Sequence, residues 1–155
     1  MTRRGFLAPA LGALVAACSP LGMLNQFGPR DAGVRRVAQG LAYGDDPRQR
    51  FDLHAPEGPG TGLLPTLVFF YGGGWDSGTR SVYAWAAQAL AARGFVVAVP
   101  DYRLVPEVLF PAFIEDAAAA TAAVAAAVGD HGGDAGRLGV IGHSAAIWRL
   151  SSAPT

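Results

Sequence analysis

Apolar runs along the chain predict three buried strands. The runs TLVFFY (66–71), FVVAV (95–99) and RLGVIG (137–142) lack the alternation of a half-exposed strand and are typical of strands covered in a parallel sheet. An earlier segment, QRFDLHAP (49–56), alternates apolar and polar positions and stops at a proline. We therefore expect a half-exposed strand there.

The spacing of apolar residues between these runs predicts two helices. From 79 to 93 the apolar residues recur at intervals of three and four, and Gly94 supplies a stop. Residues 112–128 are mostly alanine, which favours helix, and Gly129 follows them. Because strands alternate with helices, we expect an α/β fold with a mostly parallel sheet and helices on both faces. In such a sheet, functional residues collect at the carboxyl ends of strands.

The first 18 residues have the layout of an export signal. Arg3 and Arg4 form a basic front, residues 6–17 are apolar, and the sequence before Cys18 is similar to a bacterial lipoprotein box. We therefore expect an exported protein of the bacterial cell envelope, held to a membrane by a lipid on the Cys18 thiol. The alternative is a plain signal peptide or an N-terminal transmembrane anchor with an incidental cysteine.

The chain divides into three parts by composition. Residues 1–18 form the signal, residues 19–36 are broken by glycine and proline and predict a linker, and residues 37–155 hold the predicted domain. With 155 residues and a hydrophobic composition of 51%, the chain is able to bury the core of one globular domain.

Charge and residue usage exclude several classes of function. Twelve basic residues balance twelve acidic residues, so the chain has no field that attracts nucleic acid. His131 and Asp134 fall short of a metal-ligand set, and no phosphate-loop pattern follows the glycines at 72–74. We therefore expect no nucleic acid, metal or cofactor. His54 and His131 are interpreted as surface residues, and Asp116 as a solvated or packing carboxylate.

Two motifs follow predicted strands: YGGGW (71–75) and GHSA (142–145). A serine hydroxyl is a poor nucleophile unless a base accepts its proton and hydrogen-bond donors hold the oxyanion that forms. On a tight strand-to-helix turn a serine projects above the sheet between small neighbours. Amides of a glycine-rich loop after an earlier strand can then converge on the oxyanion.

The ordered motifs FFYGGGW, DYRL and GHSA resemble those of the α/β-hydrolase esterase/lipase family, in particular its bacterial enzymes with an H/Y-G-G-G-W oxyanion loop. The resemblance extends over residues 35–145. It implies a serine carboxylic-ester hydrolase that acts on small-molecule esters through an acyl-enzyme, without a cofactor. In the resemblance, Ser144 matches the nucleophile, and Gly73, Gly74 and Ala145 match the oxyanion donors.

Other residues match the family in supporting roles. Trp75 matches the aromatic residue that closes the oxyanion loop, and Tyr71 stands where many relatives have histidine. Asp101 and Arg103, in DYRL, are similar to structural residues that tie the end of a strand to nearby loops.

The chain departs from the family's pattern after the serine. In this fold the triad follows the order Ser, Asp or Glu, His, but residues 145–155 contain no Asp, Glu or His, and Ala146 stands where the family has glycine. We hypothesise a frameshift, real or a sequencing error, near Ala145, which the nucleotide sequence tests. RLGVIG would then lie at a sheet edge, and we expect the chain as written to be poorly stable and nearly inactive.

Two alternative functions remain open on the sequence. An amidase or peptidase on the same fold shares the acyl-enzyme chemistry. A non-catalytic surface lipoprotein would bind a ligand or partner through a degenerate hydrolase domain. Labelling by a fluorophosphonate distinguishes an enzyme from a binding module, because only an activated Ser144 reacts.

Overall fold

The computed structural model of the chain describes residues 33–58, 60 and 62–144. The predicted signal with Cys18, most of the predicted linker and the predicted oxyanion donor Ala145 lie outside the described residues. The described part contains these elements in chain order: β1 (Val34–Ala42), β2 (Arg50–Pro56), β3 (Leu64–Phe70), α1 (Ala84–Ala91), β4 (Val96–Pro100), α2 (Ala112–Ala127), a 3₁₀ turn (Val128–His131) and β5 (Gly133–Gly142).

The strands form one sheet in the order β1-β2-β4-β3-β5. β3 is parallel to both β4 and β5, whereas β2 is antiparallel to β4 and β1 is antiparallel to β2. The α/β class is confirmed, and the sheet is mixed because β2 runs against the other strands. Short connections without a helix lead into and out of β2. The first joins β2 to its antiparallel neighbour β1, as such neighbours allow, and the second passes to β3, on the other side of β4 in the sheet.

The two helices connect the parallel strands. The chain passes from β3 through α1 to β4, and then from β4 through α2 to β5 on the far side of β3. Because these crossovers proceed in opposite directions across the sheet and each is right-handed by the general rule, α1 and α2 cover opposite faces. β3 and β4 therefore lie in the middle of the layered core.

The four predicted strands are confirmed as β2, β3, β4 and β5, with differences in exposure. Every residue of β4 is buried, as expected for a strand covered on both faces. The sequence predicts a half-exposed β2, but five of its residues in succession are buried, because β1 and β4 flank it and α1 packs on it. β5 lies at the edge of the described sheet, and Val140 on it is 38% exposed.

The structure corrects three predicted boundaries. The predicted linker ends too late, because β1 begins at Val34 and pairs with the end of β2. Two register shifts in β1 break the alternating pattern that would have indicated a strand. α1 begins at Ala84 rather than 79, after a series of turns. β5 begins at Gly133, four residues before the predicted run 137–142.

The long alanine-rich helix packs on the sheet. Residues Ala112–His131 are long and apolar enough to cross a membrane by length and composition, with a mean hydropathy of 1.4. However, Phe113, Ala120 and Val124 are buried, and α2 contacts β3, β4 and β5. The helix therefore serves as a core helix of the described domain.

Candidate active site

The two predicted motifs leave the sheet side by side. β3 and β5 are neighbours, and their last residues, Phe70 and Gly142, are paired. The pairing continues one step further, since the amide of His143 donates to the carbonyl oxygen of Phe70 at 2.9 Å. The chain then enters YGGGW from one strand and the serine bend from the other, at the carboxyl ends where sites form in open α/β sheets.

Gly72 lies directly against Ser144. A Cβ atom added to Gly72 would lie 2.7 Å from the Cβ of Ser144 and 3.0 Å from the carbonyl oxygen of His143. Side-chain carbons do not approach one another this closely, so position 72 has room for glycine alone. The structure thus brings the start of the glycine loop and the predicted nucleophile into contact.

The backbone of Ser144 is strained in the way expected of a nucleophile on a sharp turn. Its φ is +57°, in the left-handed region that residues other than glycine rarely adopt, and its side chain is exposed. Trp75 is the other non-glycine residue with a positive φ (+70°) among the described residues. Both strained positions therefore belong to the two motifs.

The glycine loop presents amides that no described acceptor engages. Gly73 and Gly74 have φ values of +142° and +64°. The Gly73 carbonyl accepts from the Asp76 amide at 3.2 Å and from the amide and hydroxyl of Ser77 at 3.1 and 2.8 Å. Because a peptide unit is planar, the Gly74 N–H points away from this turn. Within the described residues neither the Gly73 nor the Gly74 amide donates a hydrogen bond, as oxyanion donors require.

Tyr71, at the start of the loop, is completely buried and held at both ends. Its hydroxyl donates to Asp101 Oδ1 at 2.6 Å and accepts from Arg48 Nη2 at 3.1 Å, and its carbonyl accepts from the Tyr102 hydroxyl at 2.8 Å. Its ring is stacked on those of Tyr83 and Tyr102. Burial, followed by the nearby Asp101 carboxylate, raises the pKa of the Tyr71 hydroxyl far above its usual range. The hydroxyl therefore stays protonated and remains a donor.

Asp101 belongs to a network of ion pairs whose two carboxylates, Asp52 and Asp101, are buried. Its carboxylate accepts from the backbone amide of Arg80 at 2.5 Å and forms an ion pair with the Arg80 guanidinium. Arg80 Nε also pairs with Asp52 Oδ1 at 2.9 Å, and Arg36 pairs with the other oxygen of Asp52 at 3.2 Å. The network connects the end of β4 to β1 and β2.

Arg103 and Asp116 form a second ion pair, between the segment after β4 and α2. Arg103 Nη2 lies 2.7 Å from Asp116 Oδ1, and the Arg103 amide donates to Oδ2 at 2.9 Å. Burial alone would raise the pKa of Asp116, but the hydrogen bonds from Arg103 and Gln49 outweigh it and hold the pKa below its usual range. Asp116 is therefore a packing carboxylate, and the alternative of a solvated one is wrong.

Trp75, which the resemblance matches to the aromatic residue closing the loop, packs on two aromatic rings. Its ring stacks on Phe113 of α2 with centroids 4.5 Å apart and is tilted against Tyr102 at 5.5 Å. Its carbonyl accepts from the Val105 amide at 2.8 Å. These contacts fix the far side of the loop to α2 and to the segment after β4.

No histidine of the chain is bonded to the candidate nucleophile. The chain has three histidines, all in the described residues. His143 is exposed and its ring lies 5.9 Å from that of Tyr83. His131 lies in the 3₁₀ turn before β5. His54 is 3% exposed in β2, so its interpretation as a surface residue is wrong. Among residues 33–58, 60 and 62–144, no imidazole or carboxylate is hydrogen-bonded to the Ser144 hydroxyl. In the same residues no group of three or more potential metal ligands occurs.

The sequence of the chain is similar to those of curated esterases from plants and bacteria. A probable isoprenylcysteine alpha-carbonyl methylesterase from Oryza sativa subsp. japonica is 37% identical over 110 residues, which cover 71% of this chain and 26% of the relative. Esterase LipC of Mycobacterium tuberculosis is 38% identical over 106 residues, covering 68% of this chain and 26% of the relative.

Solved structures have the same fold. Esterase B from Lactobacillus rhamnosis superposes with a TM-score of 0.77 at 26% identity, covering 88% of this chain and 44% of that one. An α/β hydrolase from the metagenome of Lake Arreo superposes with a TM-score of 0.65 at 32% identity, covering 90% of this chain and 43% of that one.

The sheet, the strained serine and the glycine loop define a member of the esterase/lipase class of α/β-hydrolases. Residues 51–147 match the family BD-FAE, a range that includes both motifs. The chain belongs to this family. It spans about a quarter of the length of the curated relatives named above, 26% in each case.

Proposed function

We propose that the chain carries the nucleophile and the oxyanion loop of a serine carboxylic-ester hydrolase for small-molecule esters. In this proposal the Ser144 hydroxyl oxygen attacks the ester carbonyl, and the amides of Gly73, Gly74 and Ala145 stabilise the oxyanion. The alcohol leaves, and water then releases the acid from the acyl-serine. The observation that supports it most directly is the contact of Gly72 with the strained Ser144 at the paired ends of β3 and β5.

The proton of the Ser144 hydroxyl needs an acceptor during attack. None of the three histidines is hydrogen-bonded to Ser144: one is buried in β2, one precedes β5, and the third, His143, lies against Tyr83. The proposal therefore includes slow reaction by the 155-residue chain itself. Oxyanion stabilisation without a working base still gives about 10³–10⁴-fold acceleration over water.

Reaction with a fluorophosphonate tests the proposal. The purified chain is incubated with the probe, and the modified residue is identified by mass spectrometry. We expect slow modification of Ser144, abolished in Ser144→Ala and unchanged in the control Ser81→Ala, which removes an exposed serine hydroxyl outside the two motifs. Equal labelling of Ser144→Ala, or no labelling at high probe concentration and long incubation, refutes the proposal.

A further inference from the structure

We infer that Tyr71 is the positioning residue of the glycine loop, which it holds on Ser144 through its hydrogen bonds to Asp101 and Arg48. The inference rests on the proposed function of this loop as the oxyanion donor. Tyr71 directly precedes Gly72, the residue in contact with Ser144. Any rotation of the Tyr71 backbone therefore moves the first peptide of the loop relative to the nucleophile.

The ring of Tyr71 is completely buried and closely packed. It lies between the rings of Tyr83 and Tyr102, with centroid distances of 5.0 and 4.9 Å. The end of the loop closes over it, since a Cβ atom on Gly78 would lie 2.8 Å from Cε2 of Tyr71. Packing thus fixes the plane of the ring, and the hydrogen bonds of the hydroxyl fix its position along that plane.

Arg48 joins both ends of the loop to the end of β4. One of its nitrogens, Nη2, donates to the Tyr71 hydroxyl at 3.1 Å and to the Gly78 carbonyl at 2.9 Å, and its Nε donates to the Tyr102 carbonyl at 2.7 Å. The loop from 71 to 78 is therefore closed at its base by one guanidinium. At the start of the loop, Arg48 binds the side chain of Tyr71 through its hydroxyl.

Asp101 extends the same connection into the sheet. Its Oδ1 accepts from both the Tyr71 hydroxyl and the Arg80 amide, and Arg80 is paired with Asp52 of β2. A hydrogen bond to a charged group contributes more than one between neutral groups. Loss of the Tyr71 hydroxyl therefore weakens the attachment of the loop while the sheet keeps its own ion pairs.

Hydrogen exchange tests this role without relying on Ser144 reactivity. The reporters are the Asp76 and Ser77 amides, which donate to Gly73 inside the loop, and the internal reference is the set of β4 amides, 97–99. In the full chain with Tyr71→Phe, we expect the two loop amides to exchange about tenfold faster, as loss of a charge-assisted hydrogen bond requires. The β4 amides should be unchanged.

The matched control is Tyr83→Phe, which removes a hydroxyl from the neighbouring stacked ring. That hydroxyl has no hydrogen-bond partner among the described residues, so we expect no change in loop exchange.

The result that overturns the inference is unchanged exchange at 76 and 77 in Tyr71→Phe, or equal acceleration of loop and β4 amides. The first means that the hydroxyl does not hold the loop, and the second means that it stabilises only the whole fold. Failure of fluorophosphonate labelling would refute the proposed function alone, because the exchange experiment reads loop order directly.

Discussion

Two residues, Gly72 and Ser144, determine the geometry of the candidate site. Ser144 adopts a backbone conformation that costs about 1–3 kcal/mol in a non-glycine residue. Gly72 occupies a position without space for a side chain. The strain is located at the exposed hydroxyl that the proposed reaction uses.

Gly72→Ala tests this contact. The added methyl group must displace Ser144 or the loop, because its nearest neighbour would be 2.7 Å away. Since misplacement of reacting groups by about 1 Å costs about 10²-fold in rate, we expect Ser144 phosphonylation to slow by about that factor. The matched control is Gly129→Ala, where an added Cβ meets nothing within 4 Å and the φ is ordinary. Equal rates in the two variants would contradict the account.

We predict that the buried imidazole of His54 makes the stability of the fold depend on pH. It is buried, its Nδ1 has no partner among the described residues, and burial lowers the pKa of its imidazole below 6.5. The nearby Asp52 opposes this shift and Arg36 adds to it. Because the unfolded chain takes up the proton first as the pH falls, the stabilisation is complete above 6.5 and declines from there toward the lower folded-state pKa.

Urea unfolding at about pH 7.5 and about pH 5.5, on either side of the ordinary imidazole pKa, measures this effect. We expect the midpoint of the parent chain to fall at the lower pH, and the fall to be much smaller in His54→Gln. His131→Gln, which removes the histidine in the 3₁₀ turn, should keep the parental fall. If the urea midpoint of His54→Gln falls between the two pH values as much as that of the parent chain, another group is responsible for the pH dependence.

The residues of the site are predictable from the sequence to the extent that they are contiguous. The motifs YGGGW and GHSA by themselves place the glycines and Ser144 at strand ends. The partners of Tyr71 are not predictable, because Arg48, Gly78 and Asp101 come from three separate segments. The surface interpretation of His54 fails because polar residues in an alternating strand usually face solvent, whereas β2 is flanked by strands and packed by α1.

At the scale of elements, the ion pair between Arg103 and Asp116 connects the end of β4 to α2. Asp116 is 1% exposed and accepts from Arg103 and Gln49. α2 also carries Phe113, on which Trp75 stacks. The position of α2 and the closure of the glycine loop are therefore connected.

Asp116→Ala should destabilise the fold strongly. Asp116 is buried, whereas the Arg103 side chain is partly exposed, so solvent compensates part of the lost ion pair. The substitution also leaves the Arg103 amide and the Gln49 side chain without their acceptor, and we expect a loss of about 1–3 kcal/mol in the free energy of unfolding. Glu115→Ala is the control, since it removes the neighbouring exposed carboxylate from the same helix. Denaturant unfolding measures both variants. If Asp116→Ala lowers the free energy of unfolding by less than about 0.5 kcal/mol, the pair contributes no more than an exposed ion pair, and the prediction is wrong.

The sequence predicts best the strands that have unbroken apolar runs. Such runs are typical of strands that are buried on both faces in a parallel sheet. β1 escapes prediction because two register shifts disturb its alternation. The start of β5 resembles a glycine-rich loop in sequence, but Gly133 is buried where a Cβ would lie 2.2 Å from Val128 Cγ2. Glycine there permits close packing rather than a turn.

At the scale of the whole molecule, the described sheet ends at β5, and no strand among the described residues pairs with its outer side. The superposition on esterase B covers 88% of this chain but 44% of that enzyme. The described domain therefore corresponds to less than half of that fold, and it includes the glycine loop and the turn at Ser144.

We propose that the protein is exported and lipid-anchored through Cys18. Metabolic labelling with a fatty acid in a bacterial host should give a labelled chain, and Cys18→Ser should abolish the label, because Cys18 is the one cysteine in the sequence. Ser19→Ala, next to the proposed site, serves as the control and should retain the label. Equal labelling of the parent and Cys18→Ser would exclude the lipid on this thiol.

The central claim is that the glycine loop donates to the oxyanion formed on Ser144. A crystal structure of the phosphonylated chain measures this directly, because the phosphonyl oxygen stands where the oxyanion would form. We predict that this oxygen lies within about 3.1 Å of the Gly73 and Gly74 amide nitrogens. A phosphonyl oxygen that faces solvent, with both amides directed elsewhere, would contradict the account.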